Sequence, residues 1–285
     1  MKEVKRVKAP VRIDFGGGTT DVEPFPTKYG GCVLNAGISN HVIGELDTSS
    51  RGVALSYSEN IPTSSGLGTS SVMNVVWLSL ISQKRFKDDK DKMALAEEVY
   101  RIEQAMGLVG GKQDQYAGAL GGINFMEFKK NNKVIVHRLK LKPSVIKELE
   151  SSLILVYTGK PHFSGDTNGS AVENLKKGKN TKNLLRIKHI TIEMKKALER
   201  GNLGRFADLM NQETEERAQL SKMEVPESVW KLIEKGKRNG AVGAKICGAG
   251  GGGCILFFGN KRKIKEAFGN MCIDFKFDFD GLHWV

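Results

Sequence analysis

Residues 62–71, Pro62-Thr63-Ser64-Ser65-Gly66-Leu67-Gly68-Thr69-Ser70-Ser71, run directly into the apolar stretch Val72-Met73-Asn74-Val75-Val76-Trp77-Leu78-Ser79-Leu80-Ile81. The second stretch is apolar enough for a buried helix, and Thr69, Ser70 and Ser71 are of the type that caps helix N-termini. Glycines let a backbone approach an anion closely, while the helix that follows offers unpaired N–H groups and the positive end of its dipole. The stretch therefore reads as a phosphate cradle, although a glycine loop before a helix, taken alone, more often serves as a turn. It is not a Walker A loop, because no GxxxxGK[ST] string occurs. Neither Gly16-Gly17-Gly18-Thr19-Thr20-Asp21 nor Gly248–Gly253 supplies a GxGxxG that opens a helix after a strand, so no dinucleotide fingerprint is present.

Upstream of the loop, β-branched runs alternate with glycine clusters (Val11–Phe15, Cys32–Ile38, His41–Leu46, Gly52–Tyr57) and predict a sheet. Downstream, Asp89–Gly107 places Leu95, Val99, Ile102 and Met106 on one face and ends in glycine, as an amphipathic helix does. Ile123–Leu141 alternates around Asn131-Asn132 as a hairpin, followed by a strand over 153–159 and a long helical region over 169–240. Ala241–Gly259 puts a glycine loop between two strands, and a helix (261–270) and a closing strand (272–279) finish the pattern. The order predicts an α+β chain in two lobes, 1–145 and 146–285.

The 285 residues are 40% hydrophobic and 27% charged, a globular composition that excludes disorder. No apolar run approaches the roughly 18 residues of a membrane span, and the N-terminus lacks a signal-peptide core, which points to the cytoplasm. Cys32, Cys247, Cys254 and Cys272 form no CxxC or zinc spacing and read as thiols in a reducing compartment, with neither disulfide nor structural zinc. The net charge of +12 suits an anionic partner. Lys176, Lys177, Lys179, Lys182, Arg186 and Lys188 are spaced as a solvated helix face, and no aromatic stacking string accompanies them, so neither nucleic acid nor a membrane is the expected partner.

The three glycine stretches together resemble the ordered signatures of the GHMP kinases (galacto-, homoserine, mevalonate and phosphomevalonate kinases). KAPVRIDFGGGTTDV (8–22) is similar to the first signature, PTSSGLGTSS (62–71) to the second and KICGAGGGGCILFF (245–258) to the third. GLVGGKQDQYAGALGGINFMEF (107–128) and LVYTGKPHFSGDTN (155–168) resemble the sugar-kinase branch that includes heptose 7-phosphate kinases, so the likeness spans essentially the whole chain. It implies the two-lobed GHMP kinase fold, with an N-terminal lobe like ribosomal protein S5 domain 2 and a ferredoxin-like C-terminal lobe. ATP and Mg2+ would bind between the lobes. The implied activity is ATP-dependent phosphorylation of a hydroxyl of a sugar or sugar phosphate, the anomeric hydroxyl among them, by a monomer or homodimer.

The resemblance also assigns residues. Pro62, Ser65, Gly66, Leu67, Gly68, Thr69, Ser70 and Ser71 would hold the nucleotide. Ser70 and Glu103 match magnesium-contacting positions; alone they read as a helix cap and a surface charge. Asp114, eleven residues beyond Glu103 as in the mevalonate kinase pattern, is the candidate base, with helix capping its plainer role. Arg12 would pair with Asp114 and steady developing charge, and is otherwise an edge-strand charge. Asp21, with Gly17 and Gly18, would grip sugar hydroxyls, and Gly250 and Gly251 would close around acceptor and γ-phosphate. His162 is left outside the catalytic set, since a lone histidine is more often structural.

The pattern departs in two places. Only His41–Asn60 separates the first strands from the second signature, where relatives carry a longer stretch that helps build the adenine pocket. The base is therefore open, with GTP and pyrophosphate as alternatives to ATP. GGGTTD stands where galactokinases have GEHTD, which argues against galactose. A mevalonate-pathway kinase is the alternative enzyme, with Asp21 against it; a non-catalytic sugar- or nucleotide-binding regulator is the other alternative, against which Ser70, Glu103 and Asp114 are all present.

Overall fold

The computed structural model describes residues 4–48, 54–59, 61–62, 64–160 and 164–285. Thr63, His162 and the first residues of the expected strand at 52–57 lie outside them.

Two antiparallel sheets share one core. In the first, β1 (Val4–Gly16) lies beside β2 (Gly31–Asp47), with the short α1 (Phe25–Tyr29) between them in sequence. The far edge of β2 is divided: its second half pairs with β3 (Ala54–Glu59) and its first half with β4 (Ile123–Phe128), which continues to β5 (Val134–Arg138). The two runs read as separate strands, 32–38 and 41–46, are thus one strand. Within the short stretch His41–Asn60, the end of β2 and β3 run antiparallel, from Val42 opposite Glu59 to Asp47 opposite Ala54. In β1 the pairing slips between Pro10 and Arg12. Proline has no N–H for a central ladder, and a bulge is where a strand can accommodate it.

Helices pack on this sheet: α2 (Thr69–Ser82), after the phosphate-loop candidate; α4 (Gln113–Leu120), which follows α3 (Asp89–Ala105); and, from later in the chain, the helix Thr181–Glu199. Asp88 caps α3 by accepting from the N–H groups of Lys90 and Asp91. Leu95 and Val99 on α3 are buried as the periodicity requires, whereas Met106 falls past the helix end and is exposed. Gly107, at φ 77°, takes the left-handed stop.

A helix that the pattern did not announce, α5 (Pro143–Ser152), precedes β6 (Leu153–Tyr157). Leu149 is buried and Val145 and Ile146 pack against the main core, but three apolar side chains within ten residues are shorter than the run by which a helical period is recognised. The long helical region resolves into α6 (Ser164–Lys176), α7 (Thr181–Glu199), α8 (Leu203–Ala218) and α9 (Glu227–Arg238). The second sheet then forms in the order β7 (Ala241–Ile246), β8 (Cys254–Gly259), β6, β9 (Cys272–Ile273), with α10 (Lys261–Phe268) before β9. Both faces of this sheet are covered. Ile154, Val156, Ile255 and Phe257 join Val229, Ile233, Ile264 and Phe268 from α9 and α10. Leu153, Leu155, Leu256 and Phe258 face the other way into the main core with Phe206 and Leu209 of α8. Burial on two sides accounts for the unbroken apolar runs of β6 and β8.

The expected closing strand is divided. After β9 the chain returns to the first sheet, bridging Ile38 through Phe277 and ending as β10 (His283–Trp284) against β1. The return is latched by Asp278, whose carboxylate accepts from His41 Nε2 at 2.8 Å and from the N–H groups of Asp280 and Gly281 at 3.1 and 2.8 Å. Removing a buried acceptor strands its donors at about 1–3 kcal/mol. Asp278→Ala is expected to lower the unfolding free energy by about 2 kcal/mol, measured as an unchanged m-value and a lower midpoint in urea.

Candidate active site

The helix α2 does not start as its hydroxyls suggest. The N-cap is Gly68, at φ 77°, and Thr69, Ser70 and Ser71 fall inside the first turn. A left-handed residue at the cap places the hydroxyls one position too late to close on the free N–H groups. Among the described residues, no side chain caps this helix end. The amide cluster and the dipole are thereby left to a ligand. The Ser65 and Thr69 hydroxyl oxygens are buried and have no partner among the described residues.

This helix end opens on a cavity of about 440 Å³. Arg12, Asp21, Ser65, Gly66, Gly68, Thr69, Ser70, Ser71, Glu103 and Asp114, expected at the site from the sequence, all line it. Arg12 organises one wall. Its N–H donates to the Leu67 carbonyl at 3.0 Å, Nη1 to the Gly66 carbonyl at 2.6 Å, and Nε and Nη2 reach Asp114 Oδ1 at 2.7 Å each. One guanidinium thus fixes both the loop backbone and the carboxylate. Burial alone would lower the Arg12 pKa; Asp114, then Asp14, outweigh it and hold the guanidinium above its ordinary value. Asp114 lies in the first turn of α4, where the helix dipole favours an anion.

Asp21 faces the same space in a different condition. It is 2% exposed, accepts the Gln113 N–H on Oδ2 at 3.1 Å, and its Oδ1 has no partner among the described residues. Burial pushes its pKa up to about 6, against the Gln113 bond that lowers it. Gly111 is pressed on this carboxylate: a Cβ there would stand 1.9 Å from Oδ2 and 2.2 Å from Cγ.

Glu103, on α3, is buried, so the surface-charge reading fails. It accepts from Ser71 Oγ, Asn74 Nδ2 and Gln115 Nε2 at 3.2, 2.9 and 2.5 Å, and burial raises its pKa despite these bonds. Ser70 is exposed and lines the same cavity, and a carboxylate and a hydroxyl are hard oxygen donors of the kind that could serve magnesium. Among the described residues no three His, Cys, Asp or Glu side chains could hold a metal by themselves. An ion here would take its remaining ligands from phosphate and water.

The other expected residues stand around the cavity rather than on it. Leu67 is buried in the main core, and Pro62 lies at the start of the loop. At Gly17 a Cβ would be 2.1 Å from the Cys32 carbonyl oxygen; at Gly250 it would be 2.2 Å from that of Glu224. Gly251 donates its N–H to the Glu224 carbonyl at 2.7 Å, and Gly248 and Ala249 are the members of the third loop that line the space. Gly18 faces Asp14 and Arg217. The second and third loops also touch directly, with the Cys254 N–H bonded to the Ser65 carbonyl at 2.8 Å.

Sequence reasoning passed over the charges beneath these loops. Asp14, Glu213, Arg217, Glu224 and Lys245 are all fully buried. Their signal was available: Lys245 and Asp14 interrupt apolar strands, and Glu213 and Arg217 are one helical turn apart on the buried side of α8. Thr19, Gln113 and Gly111 were likewise missed as lining residues.

Two family models match the chain in order, the GHMP kinases N terminal domain over residues 36–122 and GHMP kinases C terminal over 194–276, together more than half its length. The D-glycero-alpha-D-manno-heptose 7-phosphate kinase of Campylobacter jejuni is 28% identical, aligned over 92% of this chain and 91% of the relative. The crystal structure of a D-glycero-D-manno-heptose 1-phosphate kinase from Bacteroides thetaiotaomicron superposes with a TM-score of 0.77 at 27% identity, covering 99% of both chains. Lactococcus lactis galactokinase, at 18% identity and a TM-score of 0.70, shares the fold over 99% of this chain and 95% of its own. With both domains matched in order along it, the chain belongs to the GHMP kinases, phosphotransferases that act on hydroxyl groups.

Proposed function

We propose that the protein transfers the γ-phosphoryl group of ATP to a hydroxyl of a sugar phosphate or sugar, of the heptose phosphate class named for its relatives, with the anomeric hydroxyl as acceptor. One observation carries this reading. An uncapped helix N-terminus shares a cavity with two unlike carboxylates, Asp114 bound to a guanidinium and Asp21 buried with an unpartnered oxygen. The first feature suits a chain of phosphates; the pair suits an acceptor that presents one hydroxyl for reaction and another for grip.

In this scheme the N–H groups from Gly66 to Ser71 and the hydroxyls of Ser65 and Thr69 bind the phosphates. Asp21 accepts a bond from a hydroxyl next to the reacting one and so chooses which oxygen faces the nucleotide. Asp114 orients the reacting hydroxyl and takes its proton as oxygen bonds to the γ-phosphorus and the bond to the β-phosphate oxygen breaks, releasing ADP. Arg12 holds Asp114 against the loop backbone so that base and phosphate keep their spacing. Ser70 and Glu103 would hold magnesium, which when bound neutralises phosphate charge. A mevalonate-type acceptor fits less well, since its own carboxylate would face Asp21 and Asp114. The lobes divide near residue 145, with the chain from Phe277 onward returning to the first sheet, and the enzyme works in the cytoplasm as a monomer or homodimer.

ADP release from ATP and magnesium across a panel of free sugars, sugar phosphates and mevalonate derivatives tests the reading. One sugar-type acceptor is expected to turn over, and Asp114→Ala to lower kcat by about 100-fold or more; no turnover with any acceptor or nucleotide would sink it. Gly111→Ala drives a methyl into the Asp21 carboxylate, so the acceptor KM is expected to rise at least tenfold with little change in the ATP KM. If Asp21 must be ionised to accept, kcat/KM for the acceptor rises with pH through about 6 and levels off above it. Because burial holds the folded pKa above the unfolded value, the protonated carboxyl favours the fold below about pH 4, and this contribution is lost as pH rises through 6. Asp21→Asn should therefore raise stability at pH 8 by up to about 3 kcal/mol, read by thermal melting, while losing the acceptor.

A further inference from the structure

Each lobe reaches into a loop of the other through buried charge. Arg217 of α8 donates from Nη2 to the Gly18 carbonyl at 2.9 Å and from Nη1 to Thr19 Oγ1 at 3.3 Å. The same guanidinium bonds Glu213 through Nη2 and Nε at 2.9 and 3.2 Å, and Glu224 through Nη1 at 3.2 Å. In the opposite direction Asp14 of β1 accepts the Gly248 N–H at 3.0 Å and Lys245 Nζ at 2.9 Å.

The loop that Arg217 grips is strained. Thr19 has φ 74°, in the left-handed region that β-branched residues avoid at a cost of about 1–3 kcal/mol. Thr20 is fixed independently by its hydroxyl on the Gly17 and Cys32 carbonyls, but the Thr19 side chain is held from α8. Thr19 lines the cavity and lies two residues before Asp21. Glu224, the far partner of the guanidinium, is tied through its carbonyl to Gly251 in the third loop. A lysine at 217 is a single point charge on a flexible stem and cannot serve the carbonyl, the hydroxyl and two carboxylates at once. A core needing only stability could replace such a cluster with apolar side chains at little cost.

We infer that Arg217 is a positioning residue for the acceptor subsite, its planar fork holding Gly18 and Thr19 in the strained turn that delivers Asp21 to the cavity and coupling that turn to the third glycine loop. The inference rests on the reading of Asp21 as the acceptor's grip.

The test pairs steady-state kinetics with amide hydrogen exchange, the second needing no acceptor. Arg217→Lys is expected to raise the acceptor KM at least tenfold and leave the ATP KM within twofold. Exchange at the Thr20 and Val22 amides, which close the 17–22 turn, should quicken at least tenfold with the 64–70 amides unchanged. Adding Thr19→Gly, which accepts the left-handed conformation freely, should win back at least threefold of the lost acceptor KM. Should Arg217→Lys not fold, the triple variant Glu213→Leu, Arg217→Met, Glu224→Leu leaves Asp14 and Lys245 as a balanced pair and takes the same measurements. A parallel rise in the ATP KM, unchanged exchange at 20 and 22, or losses that merely multiply in the double variant overturns the role of Arg217. If no acceptor turns over in the unaltered protein, the kinase reading fails, and the exchange data alone decide whether Arg217 holds the turn.

Discussion

Asp14, Lys245, Glu213, Arg217 and Glu224 are buried ions that bind one another across the two lobes, and loops on both sides of the cavity are bonded to them. Such a group holds together only as a complete set. Losing one partner of a buried pair costs about 3–5 kcal/mol, because the other charge is stranded out of water. The set contains three acids and two bases, and the imbalance falls on Glu224. Burial pushes its pKa up to about 7 with Arg217 pulling the other way, and Oε1 has no partner among the described residues. Asp14 is instead held below the ordinary carboxylate range: burial would raise it, but Lys245, Arg12 and Arg217 prevail. The strong end of the cluster is thus at β1, beside the catalytic candidates, and the soft end is at the third loop.

Above this base the site is assembled by backbone meeting backbone. Gly66 lies against the Cys247 carbonyl, Gly253 against that of Ser65, Gly250 against that of Glu224, and each would clash with a Cβ at under 3 Å. Loops without side chains can approach this closely, and their amides then converge on a shared space. The glycines named by the signatures therefore divide into two kinds. Gly66 and Gly68 line the cavity, whereas Gly17 and Gly250 support it from behind by letting neighbouring strands and turns close. A motif records both kinds alike, because replacing either would open the same cradle.

That distinction explains what could be read from the sequence. The Arg12–Asp114 pair, separated by 102 positions, was legible through the signatures and is present at 2.7 Å. The helix at 69–82 was legible from its apolar body, but its cap was not: Thr69, Ser70 and Ser71 are good capping residues, and only the positive φ of Gly68 moves the helix start onto them. Helix α5 was lost because its stripe of Val145, Ile146 and Leu149 spans barely more than one turn of a ten-residue helix, too short a window for a period to stand out. The tail's return to β1 was hidden for another reason, since two-residue strands and a carboxylate latch carry no pattern of their own. The buried ions were visible only as charges out of phase with their elements, and nothing local states which of them meet.

Three carboxylates face one cavity, and the protein compensates them unequally. Asp114 receives a guanidinium, Glu103 receives amides and a hydroxyl, and Asp21 receives one backbone N–H. The ordering matches the company each would keep in the proposed reaction. The base must hold its place against the loop before any ligand arrives, so its cation is built in. The metal partner needs orientation but must keep its charge for an incoming cation, so neutral donors serve it without neutralising it. The acceptor's grip is left with an unmet oxygen in a buried site, so a hydroxyl that arrives there replaces an absence rather than a bond already made. Each carboxylate is left short of what its ligand would bring in the proposed reaction, and the shortfall is largest at Asp21, whose Oδ1 has no partner among the described residues.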